Sequence, residues 1–73
     1  KTHLLIIPKE PFIDISDFLQ NADKLYLSKF WESVDEIINN LGFRDQGFQI
    51  KTHKGKDGGQ EVFHFHLHLL ANV

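Results

Sequence analysis

Residues 61–70 of the chain, EVFHFHLHLL, alternate between two kinds of side chain over most of their length. Because successive side chains of a β-strand point to opposite faces of its sheet, this alternation predicts a strand. One face is expected to lie in the core: Phe63, Phe65, Leu67 and Leu69. The other face carries His64, His66 and His68, which a strand would space about 6.6–7 Å apart. Packing alone does not require three histidines in this register, so the pattern indicates a functional site.

A histidine row of this kind suits two kinds of chemistry. Imidazoles two residues apart on a strand can share one zinc ion with a ligand from elsewhere, for which His3 and His53 are available. Alternatively, one neutral imidazole attacks phosphorus while its neighbours orient it and transfer protons. The turn KGKDGG at residues 54–59 favours the second chemistry, because backbone amides of a glycine-rich loop can hold an anion. In isolation, such a turn is usually no more than a hairpin connection.

A long helix is predicted in the middle of the chain. Between residues 22 and 41, apolar side chains recur mostly every three or four positions, which predicts a helix of about five turns. Asn21 is its predicted N-cap, and Gly42 stands just past its end, where a left-handed residue is expected. Before this helix only a short turn, capped by Ser16, is expected.

Two further strands are predicted, at residues 2–8 and 47–53. The first is β-branched and apolar and stops at Pro8, and the second alternates roughly between apolar and polar side chains. The order strand, helix, strand, strand predicts an α+β fold with a mostly antiparallel sheet in a single domain, residues 1–73.

Composition narrows the functional classes. A net charge of −2 argues against a nucleic-acid-coating domain, and no apolar run approaches the length of a membrane span. There is no cysteine, so disulfides and thiolate zinc sites are excluded. In a chain of 73 residues, the gain from burial and the cost of ordering nearly cancel, so we expect a partner. The first residues already have the character of a strand interior, which suggests a piece of a longer domain.

The run DGGQEVFHFHLHLL at residues 57–70 resembles the signature of the histidine triad superfamily. Its Gly-Gly-Gln-x-Val lead-in is more similar to the Hint branch of nucleotide phosphoramidases than to the fragile-histidine-triad or galactose-1-phosphate uridylyltransferase branches. Residues 2–9, THLLIIPK, resemble the family strand that carries an additional histidine. Residues 41–48 resemble the link after the family's central helix. The resemblance implies a histidine-triad-like domain in which the family's N-terminal helix and first strands are missing.

The resemblance also implies an activity, the hydrolysis of a purine nucleoside 5′-phosphoramidate to a monophosphate and an amine. His66 would be the nucleophile, and His68 would contact the phosphate and protonate the leaving amine. His64 and His3 would orient the rings. His53 stands where Hint proteins usually have asparagine. The residues expected to bind the nucleotide phosphate are His53, Gly59, Gln60, Glu61, His66 and His68.

The expected partners follow from the same resemblance. They are a purine nucleotide and a second copy of the chain in a cytoplasmic homodimer, with no cofactor, metal ion, nucleic acid or membrane. Two other functions stay open: a dinucleoside polyphosphate hydrolase of another branch, and a nucleotide-binding module without turnover. The second is suggested by His53 and by the missing part of the pocket.

Overall fold

A computed structural model describes residues 1–72, which form two helices and a three-stranded antiparallel sheet. The α+β prediction is therefore confirmed. The strand that carries the histidines lies in the centre of the sheet, with a neighbour on each side. The elements in chain order are β1 (Thr2–Ile6), α1 (Ile15–Asn21), α2 (Lys24–Asn40), β2 (Gln49–Lys51) and β3 (Leu67–Ala71).

All three strands are shorter than predicted, and β3 most of all. It begins at Leu67, and residues 62–64 form a bend instead of a strand. Phe65, Leu67 and Leu69 are buried, as predicted. The prediction for Phe63 was wrong: its side chain is 64% exposed, because the bend takes it off the core face.

The core lies between the sheet and the helices. On α2, buried side chains recur every fourth residue, at Phe30, Val34 and Ile38, and form one cluster with the buried side of β3. Phe18 of α1 is fully buried and stacks on Phe65, with ring centroids 4.7 Å apart. The opposite face of the sheet is thereby left to the histidines.

The boundaries of α2 partly match the prediction. Its N-cap is Asp23, whose carboxylate accepts a hydrogen bond from the backbone N–H of Tyr26 at 2.9 Å. Asn21 was therefore the wrong cap, and it instead ends the preceding helix. Gly42 has a φ of +73°, the left-handed conformation predicted just past the helix end. Neither helix in residues 1–72 is long and apolar enough to cross a membrane.

Helix α1 was not predicted beyond a turn at Ser16. Asp14 caps it by accepting a hydrogen bond from the backbone N–H of Asp17 at 2.8 Å. The segment before α1 also contacts β3 directly, since the backbone N–H of Phe65 donates to the carbonyl of Phe12 at 2.7 Å. This places α1 beside the start of the histidine strand.

Candidate active site

The register of the sheet decides which side chains surround the histidines. In β3, the Cα of His68 is paired with Leu5 on β1 and with Lys51 on β2. Directly paired residues of antiparallel strands lie on the same face, so these three side chains form one row across the sheet. His3 is paired with Leu70 in the next row on that face. The histidine face thus includes residues from all three strands.

His68 is the centre of a cluster of four imidazoles. Its Nδ1 lies 2.8 Å from Nε2 of His3, a hydrogen-bond distance. Its ring centroid is 5.0 Å from that of His66 and 5.7 Å from that of His53. Burial lowers the pKa of His68 below its ordinary value of 6.5, and the charges of the other three histidines and of Lys51 lower it further. These effects favour the neutral form of His68.

Hydrogen bonds to backbone carbonyls orient the rings of His66 and His53. Nδ1 of His66 lies 2.7 Å from the carbonyl oxygen of His64. A carbonyl oxygen only accepts hydrogen bonds, so Nδ1 carries a proton, and in the neutral ring Nε2 has the free lone pair. Nδ1 of His53 likewise donates to the carbonyl of Gly58 at 2.8 Å. His66 and His53 therefore each present an Nε2 that can accept a proton or form a bond.

His64 lies apart from this cluster. Because it belongs to the bend before β3, the even spacing predicted for three imidazoles does not extend to it. Its Nε2 is buried and has no hydrogen-bond partner within residues 1–72. The part of His64 that reaches the site is its carbonyl, which orients His66.

Glycines make the loop before the histidines compact. A Cβ on Gly58 would lie 2.2 Å from the carbonyl oxygen of Lys54, a distance that only glycine tolerates. Gly59 has a φ of +77°, which also favours glycine. Residues 54–59 therefore fold back on themselves, and the carbonyl of Gly58 reaches His53.

The side chain of Gln60 holds this loop in place. Its Oε1 accepts a hydrogen bond from the backbone N–H of Gly55 at 2.8 Å, and its Nε2 donates to the carbonyl of Ile13 at 2.7 Å. An ion pair between Lys54 and Asp14, at 3.5 Å, adds a second connection to the start of α1. The amide of Gln60 is thus used within the protein, which leaves backbone groups to face the cleft.

Two clefts meet at the imidazole cluster, and they share His53 and His68. The first, about 340 Å³ and here named the loop cleft, is lined by Leu5, His53, Gly59, Glu61, Val62, His66 and His68. The second, about 210 Å³ and here named the edge cleft, is lined by His3, Lys51, His53, His68 and Leu70. The loop cleft brings together His66, His68, His53, Gly59 and Glu61, five of the residues singled out in the sequence.

Lys51 was not predicted to belong to the site. The alternation of residues 47–53 placed Lys51 and Gln49 on one face of the strand, but the pairing of that face with His68 depends on the sheet order.

Within residues 1–72, no three side chains of His, Cys, Asp or Glu are grouped so that they would hold a metal ion.

Comparison with known proteins gives one consistent result. The HIT domain family profile matches residues 1–73. An uncharacterized HIT-like protein of Rickettsia prowazekii is 35% identical over 69 residues, which is 94% of this chain and 58% of that protein. Protein HitA of Neisseria gonorrhoeae is 41% identical over 69 residues, covering 94% of this chain and 63% of its own length.

Solved structures agree with this result. The crystal structure of a HIT family hydrolase from Legionella pneumophila superposes with a TM-score of 0.84 at 35% sequence identity, covering 99% of this chain and 63% of that one. A histidine triad protein from Clostridium difficile gives a TM-score of 0.82 at 32% identity, covering 97% of this chain and 61% of that one. In each comparison, the chain spans less than two thirds of the length of its relative.

Proposed function

This chain belongs to the HIT domain family, and from that premise we propose that it carries the catalytic centre of a nucleotide phosphoramidase. The reaction is hydrolysis of the P–N bond of a purine nucleoside 5′-phosphoramidate. The observation that carries the proposal is the hydrogen bond of His66 Nδ1 to the carbonyl of His64, which leaves Nε2 as a nucleophile. The choice of a purine phosphoramidate is supported by the similarity of residues 57–70 to the Hint branch.

In the first step, Nε2 of His66 attacks the phosphorus atom. A bond between phosphorus and Nε2 forms, and the bond between phosphorus and the leaving nitrogen breaks with its electron pair on nitrogen. The proton that this nitrogen needs comes from His68, which is hydrogen-bonded to His3 and takes up a proton from solvent before the attack. The amine then departs.

In the second step, water attacks the phosphorus of the intermediate. The bond between phosphorus and Nε2 breaks, its electrons return to His66, and the proton released by water restores the pair of His68 and His3. Throughout, Nδ1 of His66 keeps its proton and its bond to the carbonyl of His64. The phosphorylated ring is therefore a cation, which makes it a good leaving group.

Backbone groups of the glycine loop are the proposed ligands of the phosphate, and the ring of His53 donates to it when Nε2 carries a proton. Gly59 and Glu61 line the same cleft as His66, and the positive φ of Gly59 turns the backbone tightly there. The side chain of Gln60 supports these groups from behind through its bonds to Gly55 and Ile13.

We also propose that two copies of the chain associate. Large apolar side chains are exposed on α2 and around β2, which is an edge strand: Leu25, Trp31, Leu41, Phe48 and Ile50. Exposed apolar patches of this kind mark interfaces. Analytical ultracentrifugation of the full-length protein is expected to give a dimer, and a stable monomer at micromolar concentration would overturn this part of the proposal.

The activity is tested with the full-length protein and adenosine 5′-phosphoramidate. We expect release of AMP and ammonia, and a nucleotidyl adduct on the peptide that contains His66 when the reaction is quenched. Diadenosine polyphosphates serve as the competing substrates. Faster cleavage of a diadenosine polyphosphate would favour another branch of the family, and AMP binding without turnover of any substrate would show a binding module instead.

A further inference from the structure

The edge cleft is basic and, within residues 1–72, lined by no carboxylate. Lys51 stands directly across from His68, and His3 and His53 complete its polar lining. No ion pair is formed by Lys51 within residues 1–72. In the loop cleft, by contrast, Glu61 is part of the lining. The edge cleft therefore offers an unneutralised positive charge to an anion.

The position of this charge relative to the reaction is set by His68. His66 lines only the loop cleft, whereas His68 lines both. In the proposed reaction the phosphorus is at His66 and the leaving nitrogen is at His68, and of the two clefts only the edge cleft contains His68 without His66, so the rest of the leaving group is expected there. The edge cleft is thus on the leaving-group side of the reaction.

We propose that the edge cleft binds an anionic group on the leaving amine, and that Lys51 selects phosphoramidates whose amine carries a carboxylate or a phosphate. This inference rests on the proposed function and deepens it. Lys51 does not touch the reacting atoms, so its role is one of specificity. The ring of His53, held by the carbonyl of Gly58, also lines this cleft.

A lysine on an edge strand has another common role, which is to prevent pairing with other chains. That role requires no particular partner on the neighbouring strand. It predicts that replacing Lys51 changes solubility and leaves the relative rates of different substrates unchanged. Relative rates therefore separate the two roles.

The experiment compares two nearly isosteric substrates in the full-length protein, the adenosine phosphoramidates of β-alanine and of β-alaninamide. We expect the carboxylate substrate to have a kcat/KM roughly tenfold higher, as for a charge-assisted contact in a partly open site. In Lys51→Gln the ratio should fall to about one, and in Lys51→Glu it should invert. Both substrates use the same His68, so any change in its protonation cancels in the ratio.

Lys29→Gln is the matched control, because Lys29 lies on α2 and lines neither cleft. It should keep the wild-type ratio. Unsubstituted adenosine phosphoramidate measures how Lys51→Gln acts through His68 alone, and the rates of the other substrates are compared with its rate in each variant. A second pair, the adenosine phosphoramidates of 2-aminoethyl phosphate and of ethanolamine, shows whether a phosphate or a carboxylate is favoured. A higher kcat/KM for the charged member of either pair supports the inference.

Three results would overturn the inference. Equal rates for the charged and neutral members of both pairs in the wild type would do so while leaving the proposed function intact. A preference for the charged substrate that persists in Lys51→Gln would also overturn the inference and leave the proposed function intact. Failure to hydrolyse even unsubstituted adenosine phosphoramidate would instead overturn the proposed function, and this inference with it.

Discussion

The two clefts share a wall but are built differently. The loop cleft is formed by backbone of the glycine loop and by a histidine whose tautomer is fixed at 2.7 Å by a carbonyl. The edge cleft is formed by side chains that project from three paired strands, His3, Lys51 and His68. In the proposed function, the first fixes the position of the reacting atom, and the second supplies charge.

Because of this difference, we expect the reaction rate to respond more strongly to substitutions in the loop cleft than to substitutions in the edge cleft. A change that displaces or removes a group in the loop cleft affects the position of phosphorus relative to Nε2 of His66, and reactions are steeply sensitive to such displacement. A change of charge in the edge cleft affects which leaving group is preferred and how His68 titrates, and these effects are small. Substitutions should therefore separate into large and small effects according to the cleft.

The largest effect is expected for His66→Ala. It removes the nucleophile, and turnover of adenosine phosphoramidate should fall by about 10⁴-fold or more, as is typical when a nucleophile is deleted. Binding of AMP, measured by calorimetry, should weaken only modestly because the glycine loop remains. Full activity in this variant, or a nucleotidyl adduct on a different residue, would contradict the assignment of His66.

Gly58→Ala should have the next largest effect. The new Cβ would lie 2.2 Å from the carbonyl of Lys54, so the loop must shift, and the contact of Gly58 with His53 shifts with it. A displacement of about 1 Å in a catalytic group can cost roughly 10²-fold in kcat/KM. Gly47→Ala is the control, since an added Cβ at Gly47 has no atom within 4 Å and Gly47 lines neither cleft, although its φ of +94° adds backbone strain that Gly58→Ala does not have. Equal losses in the two variants would point to general destabilisation.

A smaller effect is expected for His64→Ala. The alanine keeps the backbone carbonyl that accepts from Nδ1 of His66, so the tautomer of the nucleophile is preserved. Turnover should fall no more than about tenfold, through loosened packing around the bend. A loss as large as that of His66→Ala, with the fold intact by circular dichroism, would mean that the ring of His64 takes part in the chemistry.

Local patterns were enough to predict much of the fold. The spacing of Phe30, Val34 and Ile38 predicts α2 because helical periodicity is a property of the segment itself. The burial of Leu67 and Leu69 follows in the same way from strand alternation. The start of β3 could not be predicted, since it depends on where its partner ends: Leu67, the first residue of β3, is paired with Ile6, the last residue of β1.

The remaining errors have the same physical origin. Helix α1 is short, and its one fully buried residue, Phe18, stacks on Phe65 from the far end of the chain. Lys51 belongs to the site because β2 pairs with β3 in a register that puts it opposite His68. Neither contact leaves a local signal. The histidine motif has a local signal, and it was sufficient to identify the family; its His66 and His68 line the loop cleft.

The smallest effect is a shift in the titration of His68. Because burial and then nearby positive charges lower its pKa, its ring should titrate below 6.5 when followed by NMR. Lys51→Gln removes one of these charges, so the pKa should rise toward 6.5. In Lys56→Gln it should stay unchanged, because Lys56 lines neither cleft.

The same shift links pH to stability. Between the lowered pKa of His68 and 6.5, the unfolded chain binds more protons than the folded one, so the free energy of unfolding rises with pH in that window. Acidification from pH 7 through the folded pKa should therefore reduce the stability of the wild type, and the contribution of His68 to this loss should be smaller in Lys51→Gln. A titration of His68 at or above 6.5 in the wild type would contradict the charge environment described for the edge cleft.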